Sequence, residues 1–193
     1  MIKKISTFIS SKFVKHNIIS EDSEDVYKYG IEITISSIIS LSLAVVIGLL
    51  FNILPQTILY YFIFVFLRSL TGGYHAKTYF KCNLIFGIIT FLVMVFSKLA
   101  YSMQISINVI IFLFLTSIMI FVWMAPVENI NKPIKKNKVV YYKITSVVIS
   151  VILCILSVFL YINQHILEAS VITMTVFVVS ILCVVTIFRK GVE

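Results

Sequence analysis

Long uncharged stretches constrain the fold of this chain more than any other feature. Four runs lack Asp, Glu, Lys and Arg, and each reaches the roughly 20 residues that a helix needs to cross a bilayer. These runs are Ile33–Leu67, Leu99–Val127, Ile144–Leu167 and Ala169–Phe188. A fifth, Cys82–Ser97, becomes long enough when its flanks are included. Only 12% of the residues are charged and the mean hydropathy is +1.07. A soluble core cannot absorb this much apolar surface, so the sequence predicts an integral membrane protein.

The longest run is predicted to contain two spans. Asn52 and Pro55, in the stretch NILPQT, favour a tight turn between them. The predicted spans are then 31–53, 55–71, 79–97, 104–125, 144–162 and 169–188. The predicted fold class is an all-α integral membrane protein with six transmembrane helices, forming a single polytopic domain over residues 1–193.

The N-terminal arm, residues 1–29, is predicted to begin with a helix that lies on the membrane surface. Its start, MIKKISTFISSKFVKHN, places apolar residues at helical spacing with lysines beside them. The apolar residues are Ile2, Ile5, Phe8, Ile9 and Phe13. Such a basic amphipathic helix binds membrane lipids. A secretory signal would need an unbroken apolar region. A frayed soluble arm is the alternative.

Basic residues predict the orientation of the chain in the membrane. Lys98 is the exception among the 16 lysines and arginines; the others lie on the arm, in segment 68–82, in the loop 126–143 or in the C-terminal tail. By the positive-inside rule, both termini, segment 68–82 and the basic loop 126–143 should be cytoplasmic. Because the charges alternate with apolar spans and form no single stripe, nucleic-acid binding is not expected.

Segment 68–82, RSLTGGYHAKTYFKC, is where several chemically competent groups converge. Basic neighbours favour the thiolate form of Cys82, and His75 is a natural base to activate it. A straight helix would separate their backbones by about 10.5 Å. The segment must therefore bend, and Gly72 and Gly73 can provide the turn. The expected arrangement is a helix end, a glycine turn carrying His75, and Cys82 near the start of the next span. From the residues alone, an ordinary cytoplasmic loop whose glycines make a turn is the favoured alternative.

The other two cysteines, Cys154 and Cys183, lie in mid-span among aliphatic residues and are interpreted as packing residues. Three cysteines at long spacing favour neither a disulfide framework nor a zinc site. No metal or cofactor is expected.

Segment 68–82 resembles the signature of the accessory gene regulator B (AgrB) family of membrane cysteine endopeptidases. That pattern runs Arg-Ser-x-x-Gly-Gly-x-His, followed by a Cys seven residues after the His. The stretch APVENINKPI is similar to that family's proline-framed loop. Length, number of spans and basic amphipathic start agree over essentially the whole chain. The resemblance implies a bacterial cell-membrane protein in which Cys82 is the nucleophile and His75 the base of a cytoplasmic site.

The resemblance also implies a substrate and a product. The protein would cleave the C-terminal tail of an AgrD-like precursor peptide through a Cys82 thioester. It would then promote cyclisation of the peptide to a thiolactone or lactone quorum-sensing autoinducer. A homodimer is compatible with the resemblance, although the sequence itself offers no argument for one.

Supporting or substrate-binding candidates carry over by position, with their roles left open. They are Arg68, Ser69, Gly72, Gly73, Glu128, Asn129 and Asn131. Arg68 could bind an acidic precursor tail, stabilise an oxyanion or anchor the helix at the interface. Glu128, Asn129 and Asn131 could orient His75 or serve only in capping and turns. The lysines of 132–143 could meet an acidic precursor tail.

Two other functions compete with this one. The first is a related membrane cysteine protease with a different substrate. The second is a small transporter or channel, in which Arg68, Glu32 and Glu128 would line a polar path. The spans contain few ionisable residues, which argues against the channel.

Overall fold

The computed structural model describes residues 2–72, 78–127 and 136–190. Within these ranges the chain forms seven α-helices and one short 3-10 turn, Glu21–Ser23. The helices are α1 (Ile2–Lys15), α2 (Glu24–Leu50), α3 (Leu54–Thr71), α4 (Tyr79–Ser102), α5 (Ile107–Met124), α6 (Lys136–Ile162) and α7 (Ile166–Lys190). Helices α2 to α7 are long and apolar enough to cross a membrane. The predicted all-α class with six spans is therefore confirmed.

Several helix ends lie outside the bounds predicted from hydropathy. Helix α2 starts at Glu24, before residue 31, because acidic residues in its first turn complement the helix dipole. Helix α6 starts at Lys136, so the predicted basic loop 126–143 is shorter than expected. Lysine is a good helix former, and a charged residue does not end a helix. Likewise α4 continues through Lys98 to Ser102.

The turn between α2 and α3 lies where the sequence predicts it. Asn52 adopts a left-handed conformation with φ 56°, which asparagine tolerates better than most residues. The Ile53 N–H donates to the Gly48 carbonyl at 2.9 Å and the Asn52 N–H donates to the Leu49 carbonyl at 3.1 Å. This pair of bonds closes the end of α2. Pro55 then lies in the first turn of α3, where its missing N–H costs nothing.

One compact unit comprises Met1–Leu43 and Ala76–Gly87. In it, α1 contacts α2 through Ser6 and Ser10, which are fully buried and donate hydrogen bonds to Glu32 and Glu24. Ile5 and Phe8 are 39% and 61% exposed. An amphipathic helix on a membrane surface must keep its apolar side available to lipid, and α1 does so.

The other compact unit comprises Ala44–His75 and Ile88–Glu193. Its central helix is α7, which packs against α3, α5 and α6. Half of the most apolar 18-residue window of α7 is buried, against a third or less in the other spans. Ser157 of α6 and Thr173 of α7 share a hydrogen bond of 3.0 Å. Small polar residues of this kind let membrane helices approach closely. The largest buried side chains of this unit include Tyr60, Phe64, Leu67, Phe114 and Phe121.

Candidate active site

The first half of the motif closes helix α3. The helix continues past Arg68 to Thr71, which is the end predicted for the span 55–71. Gly72 follows with φ 71° and ψ −146°, and its N–H donates to the Arg68 carbonyl at 3.1 Å. Residues with a side chain rarely adopt this conformation, so the glycine is required here. The expected helix end and the glycine at its turn are both present.

Gly72 also touches the start of the proline-framed loop. The Val127 N–H donates to the Thr71 carbonyl at 2.8 Å, and Gly72 and Val127 form an isolated β-bridge. A Cβ added at Gly72 would collide with the Val127 carbonyl oxygen. The backbone at 125–127 therefore reaches the motif, which the sequence alone did not establish. Glu128 is the next residue in the chain.

The second half of the motif opens helix α4. Thr78 precedes the helix, and its hydroxyl accepts a hydrogen bond from the Lys81 N–H at 3.3 Å. This is an N-cap, which stabilises the first turn. The Cys82 N–H bonds the Thr78 carbonyl at 3.0 Å, so Cys82 lies at the end of that turn. The Cys82 residue is partly exposed, which a reactive cysteine would require. The predicted position of Cys82 near the start of a span is confirmed.

A line of polar side chains joins α2 to α4 beside Cys82. Ser36 and Ser40 donate to the Asn83 Oδ1 at 2.9 and 3.2 Å. One turn earlier, the Glu32 carboxylate accepts from Ser6 at 3.0 Å and contacts the Tyr79 hydroxyl. We call Glu32, Ser36, Ser40, Tyr79 and Asn83 the α2–α4 polar seam.

The sequence analysis did not predict this seam; of its five residues it named only Glu32, as a candidate channel-lining residue. The available signal was the four-residue spacing of Glu32, Ser36 and Ser40, which places them on one helix face. Hydropathy could not show which helix that face meets.

Two predicted site residues shape the end of α3. Arg68 is half-buried, with its guanidinium 5.6 Å from the centre of the Phe64 ring. Cation–π contact of this kind holds the charge against an apolar wall. Ser69 is exposed, and its hydroxyl donates to the Phe66 carbonyl at 2.7 Å.

Cys183 is fully buried, with its sulfur 4.0 Å from the Thr71 carbonyl oxygen, as expected for a packing residue.

The remaining predicted site residues lie outside the described part of the chain. They are Gly73, His75, Glu128, Asn129 and Asn131. The approach of His75 to the Cys82 sulfur therefore stays a prediction. Among residues 2–72, 78–127 and 136–190, no group of three His, Cys, Asp or Glu side chains is arranged to hold a metal ion.

Comparison with known proteins finds similarity along most of the chain. The family model for accessory gene regulator B matches residues 2–187. A putative AgrB-like protein of Clostridium perfringens (strain SM101 / Type A) is 30% identical over 145 residues, 72% of this chain and 66% of the relative. The protein FsrB of Enterococcus faecalis (strain ATCC 47077 / OG1RF) is 26% identical over 153 residues, 76% of this chain and 63% of the relative.

A third relative is accessory gene regulator protein B of Staphylococcus intermedius, 32% identical over 107 residues, which is 55% of each chain. The alignments with these three relatives thus span between 55% and 66% of their lengths. No solved structure matches the chain significantly. The family match covers nearly all of a multi-pass membrane chain that carries the expected motif at a helix end and a helix start. The chain belongs to the accessory gene regulator B family of quorum-sensing systems.

Proposed function

We propose that this protein is a membrane cysteine endopeptidase that removes the C-terminal tail of an AgrD-like precursor peptide and promotes its cyclisation. Cys82 is the nucleophile and His75 the general base. The site lies on the cytoplasmic side of the bacterial cell membrane, at the headgroup boundary. The product is a thiolactone or lactone autoinducer, according to whether the precursor presents a thiol or a hydroxyl.

The reaction proceeds in two acyl transfers. His75 takes the proton of the Cys82 thiol, and the sulfur attacks the scissile carbonyl carbon. The carbon–nitrogen bond breaks, and the imidazolium gives its proton to the departing amine of the tail. A thioester joins the precursor to Cys82. A thiol or hydroxyl of the precursor, deprotonated by His75, then attacks the thioester carbonyl and closes the ring. The Cys82 thiolate leaves and regains the proton.

The position of Cys82 carries this proposal. Cys82 is partly exposed and lies in the first turn of a spanning helix. Its thiol can therefore contact a precursor peptide that lies on the membrane leaflet where this helix begins. Membership of the accessory gene regulator B family supports the substrate class. The buried carboxylate of Glu32 is held by Ser6 in the first compact unit, which disfavours its use in lining an ion path. The channel alternative therefore loses one of its three polar residues.

The direct test is conversion of a precursor by the purified protein in liposomes. We expect release of the free tail together with a cyclic product, because a site at the membrane boundary limits the water that would hydrolyse the thioester. Mass spectrometry distinguishes the ring from the linear acid, which is heavier by one water. An uncleaved precursor refutes the proposal, and a predominantly linear product refutes its cyclisation step.

Charge reversal at the start of α6 tests how the precursor docks. Lys138 is exposed and Lys143 half-exposed on α6. We expect Lys138→Glu with Lys143→Glu to raise the KM for a precursor with an acidic tail by about 10-fold, since each lost or reversed contact near a surface is worth up to about 1 kcal/mol. The alkylation rate of Cys82 should be unchanged. Lys98→Glu, which reverses a charge predicted on the opposite side of the membrane, is the matched control and should leave KM unaltered.

A further inference from the structure

We propose that Glu32 is a positioning residue for Cys82, acting through the first turn of α4. The inference rests on the proposed function, because it assigns Glu32 to the reaction that Cys82 performs. Glu32 is only 7% exposed, although it is ionisable and lies in a spanning helix. Such a residue is costly to bury and is expected to have a specific partner.

The partners of Glu32 come from two directions. Ser6 of α1 donates to its carboxylate at 3.0 Å, and the Tyr79 hydroxyl of α4 contacts the same group. Tyr79 is the first residue of α4 and Cys82 is three residues further on. Glu32 therefore ties the interfacial helix α1 to the turn that carries the nucleophile.

The rest of the α2–α4 polar seam repeats this arrangement one turn deeper. Asn83 directly follows Cys82, is only 7% exposed, and accepts hydrogen bonds from Ser36 and Ser40. Glu32 and Tyr79 thus hold the helix just before Cys82, while Asn83 and its serines hold it just after. Two anchors on one helix face fix the rotation of α4 about its axis and so the direction of the thiol.

Fixing that direction matters for the rate. An attacking sulfur must approach the scissile carbonyl carbon from one face of the carbonyl plane, and a misplacement of about 1 Å can cost on the order of 100-fold in rate. Loss of the anchor should therefore lower kcat, while the KM for the precursor, which the rest of the surface binds, should change little.

The experiment compares Glu32→Ala with Glu32→Gln, which keeps an acceptor for Ser6 and Tyr79. We expect Glu32→Ala to lower kcat for tail release by about 10- to 100-fold with KM within about 3-fold. Glu32→Gln should restore most of the rate. Glu168→Ala is the matched control: Glu168 accepts from Gln56 at 2.9 Å in the other compact unit, and its loss should leave kcat unchanged.

A second measurement needs no substrate. Hydrogen exchange of the Tyr79–Gly87 amides in nanodiscs should become faster in Glu32→Ala and stay at the wild-type rate in Glu32→Gln and Glu168→Ala. If Glu32→Ala fails to insert, Tyr79→Phe, which removes the hydroxyl that contacts Glu32, replaces it with the same expected losses of kcat and of exchange protection.

The outcomes separate the two claims. If the wild-type protein does not cleave the precursor, the proposed function is wrong. The hydrogen exchange of the Tyr79–Gly87 amides then tests by itself whether Glu32 positions α4. If the wild type cleaves the precursor but Glu32→Ala keeps the full kcat, the inference is wrong. It is also wrong if Glu32→Ala leaves the hydrogen exchange of Tyr79–Gly87 unchanged. Equal losses in Glu32→Ala and Glu32→Gln overturn it too, because the remaining hydrogen-bond acceptor would then have no effect.

Discussion

Cys82→Ala is expected to abolish tail release, lowering the single-turnover rate by at least about 10⁴-fold. Alanine removes the sulfur that would form the thioester, and no other described thiol lies in the first turn of a helix. The protein should still insert and bind the precursor, since a partly exposed side chain contributes little to packing. The measurement is the rate at which labelled tail is released, together with a search for the acyl-enzyme by mass spectrometry.

The control for that result is the second cysteine of the chain. Cys154→Ala removes a partly exposed thiol from the middle of α6 and should leave the cleavage rate within about twofold of wild type. His75→Ala should resemble Cys82→Ala, because the thiol then loses its base. Tail release by Cys82→Ala at even a hundredth of the wild-type rate would remove Cys82 from the mechanism.

Gly72→Ala is expected to be the most damaging substitution outside the reacting groups. Alanine at φ 71° and ψ −146° is strained, and its Cβ would strike the Val127 carbonyl oxygen. Relief requires movement of the Val127 backbone and loss of its bond to Thr71. Strain and the lost bond together should cost on the order of 2–4 kcal/mol. We expect cleavage to fall by more than 100-fold, with a lower unfolding temperature in detergent.

Gly30→Ala supplies the comparison. A Cβ at Gly30 meets no atom within 4 Å, and the residue lies inside α2. Alanine is the better helix former there, so stability should rise by about 0.5–1 kcal/mol with normal cleavage. If Gly72→Ala unfolds at the wild-type temperature and cleaves the precursor normally, the contact between Gly72 and Val127 is required neither for stability nor for cleavage.

The sequence predicts the spans well because a bilayer imposes a length and a composition on each of them. The break at Asn52 and the continuation of α3 past Arg68 also follow from local residues, and both are confirmed. Helix starts are harder to predict. Helices α2 and α6 begin at Glu24 and Lys136, outside the apolar runs. Charged residues at the membrane interface can be helical, but they lower the local hydropathy, so a hydropathy pattern does not detect them.

Contacts between distant segments could not be predicted. Gly72 and Val127 pair through backbone groups. Because almost every residue carries the same backbone N–H and C=O, the sequence does not indicate which two segments pair. The α2–α4 polar seam depends on which face of α2 meets α4. Serine in a spanning helix can equally bond its own carbonyls, as Ser42 does with Ile38, so its presence alone does not identify a helix contact.

The seam also limits how relatives can exchange parts. Apolar residues that face lipid are interchangeable, whereas a hydrogen-bond donor needs its own acceptor. A hybrid that replaced Ser6, Ser36 and Ser40 with apolar residues would leave Asn83 and Glu32 without these hydrogen-bond donors. In this chain the arm, the first half of α2 and the first half of α4 are therefore coupled by hydrogen bonds, although α3 separates them in the sequence. The proposed nucleophile is thus coupled to the N-terminal arm, which lies more than fifty residues earlier in the sequence.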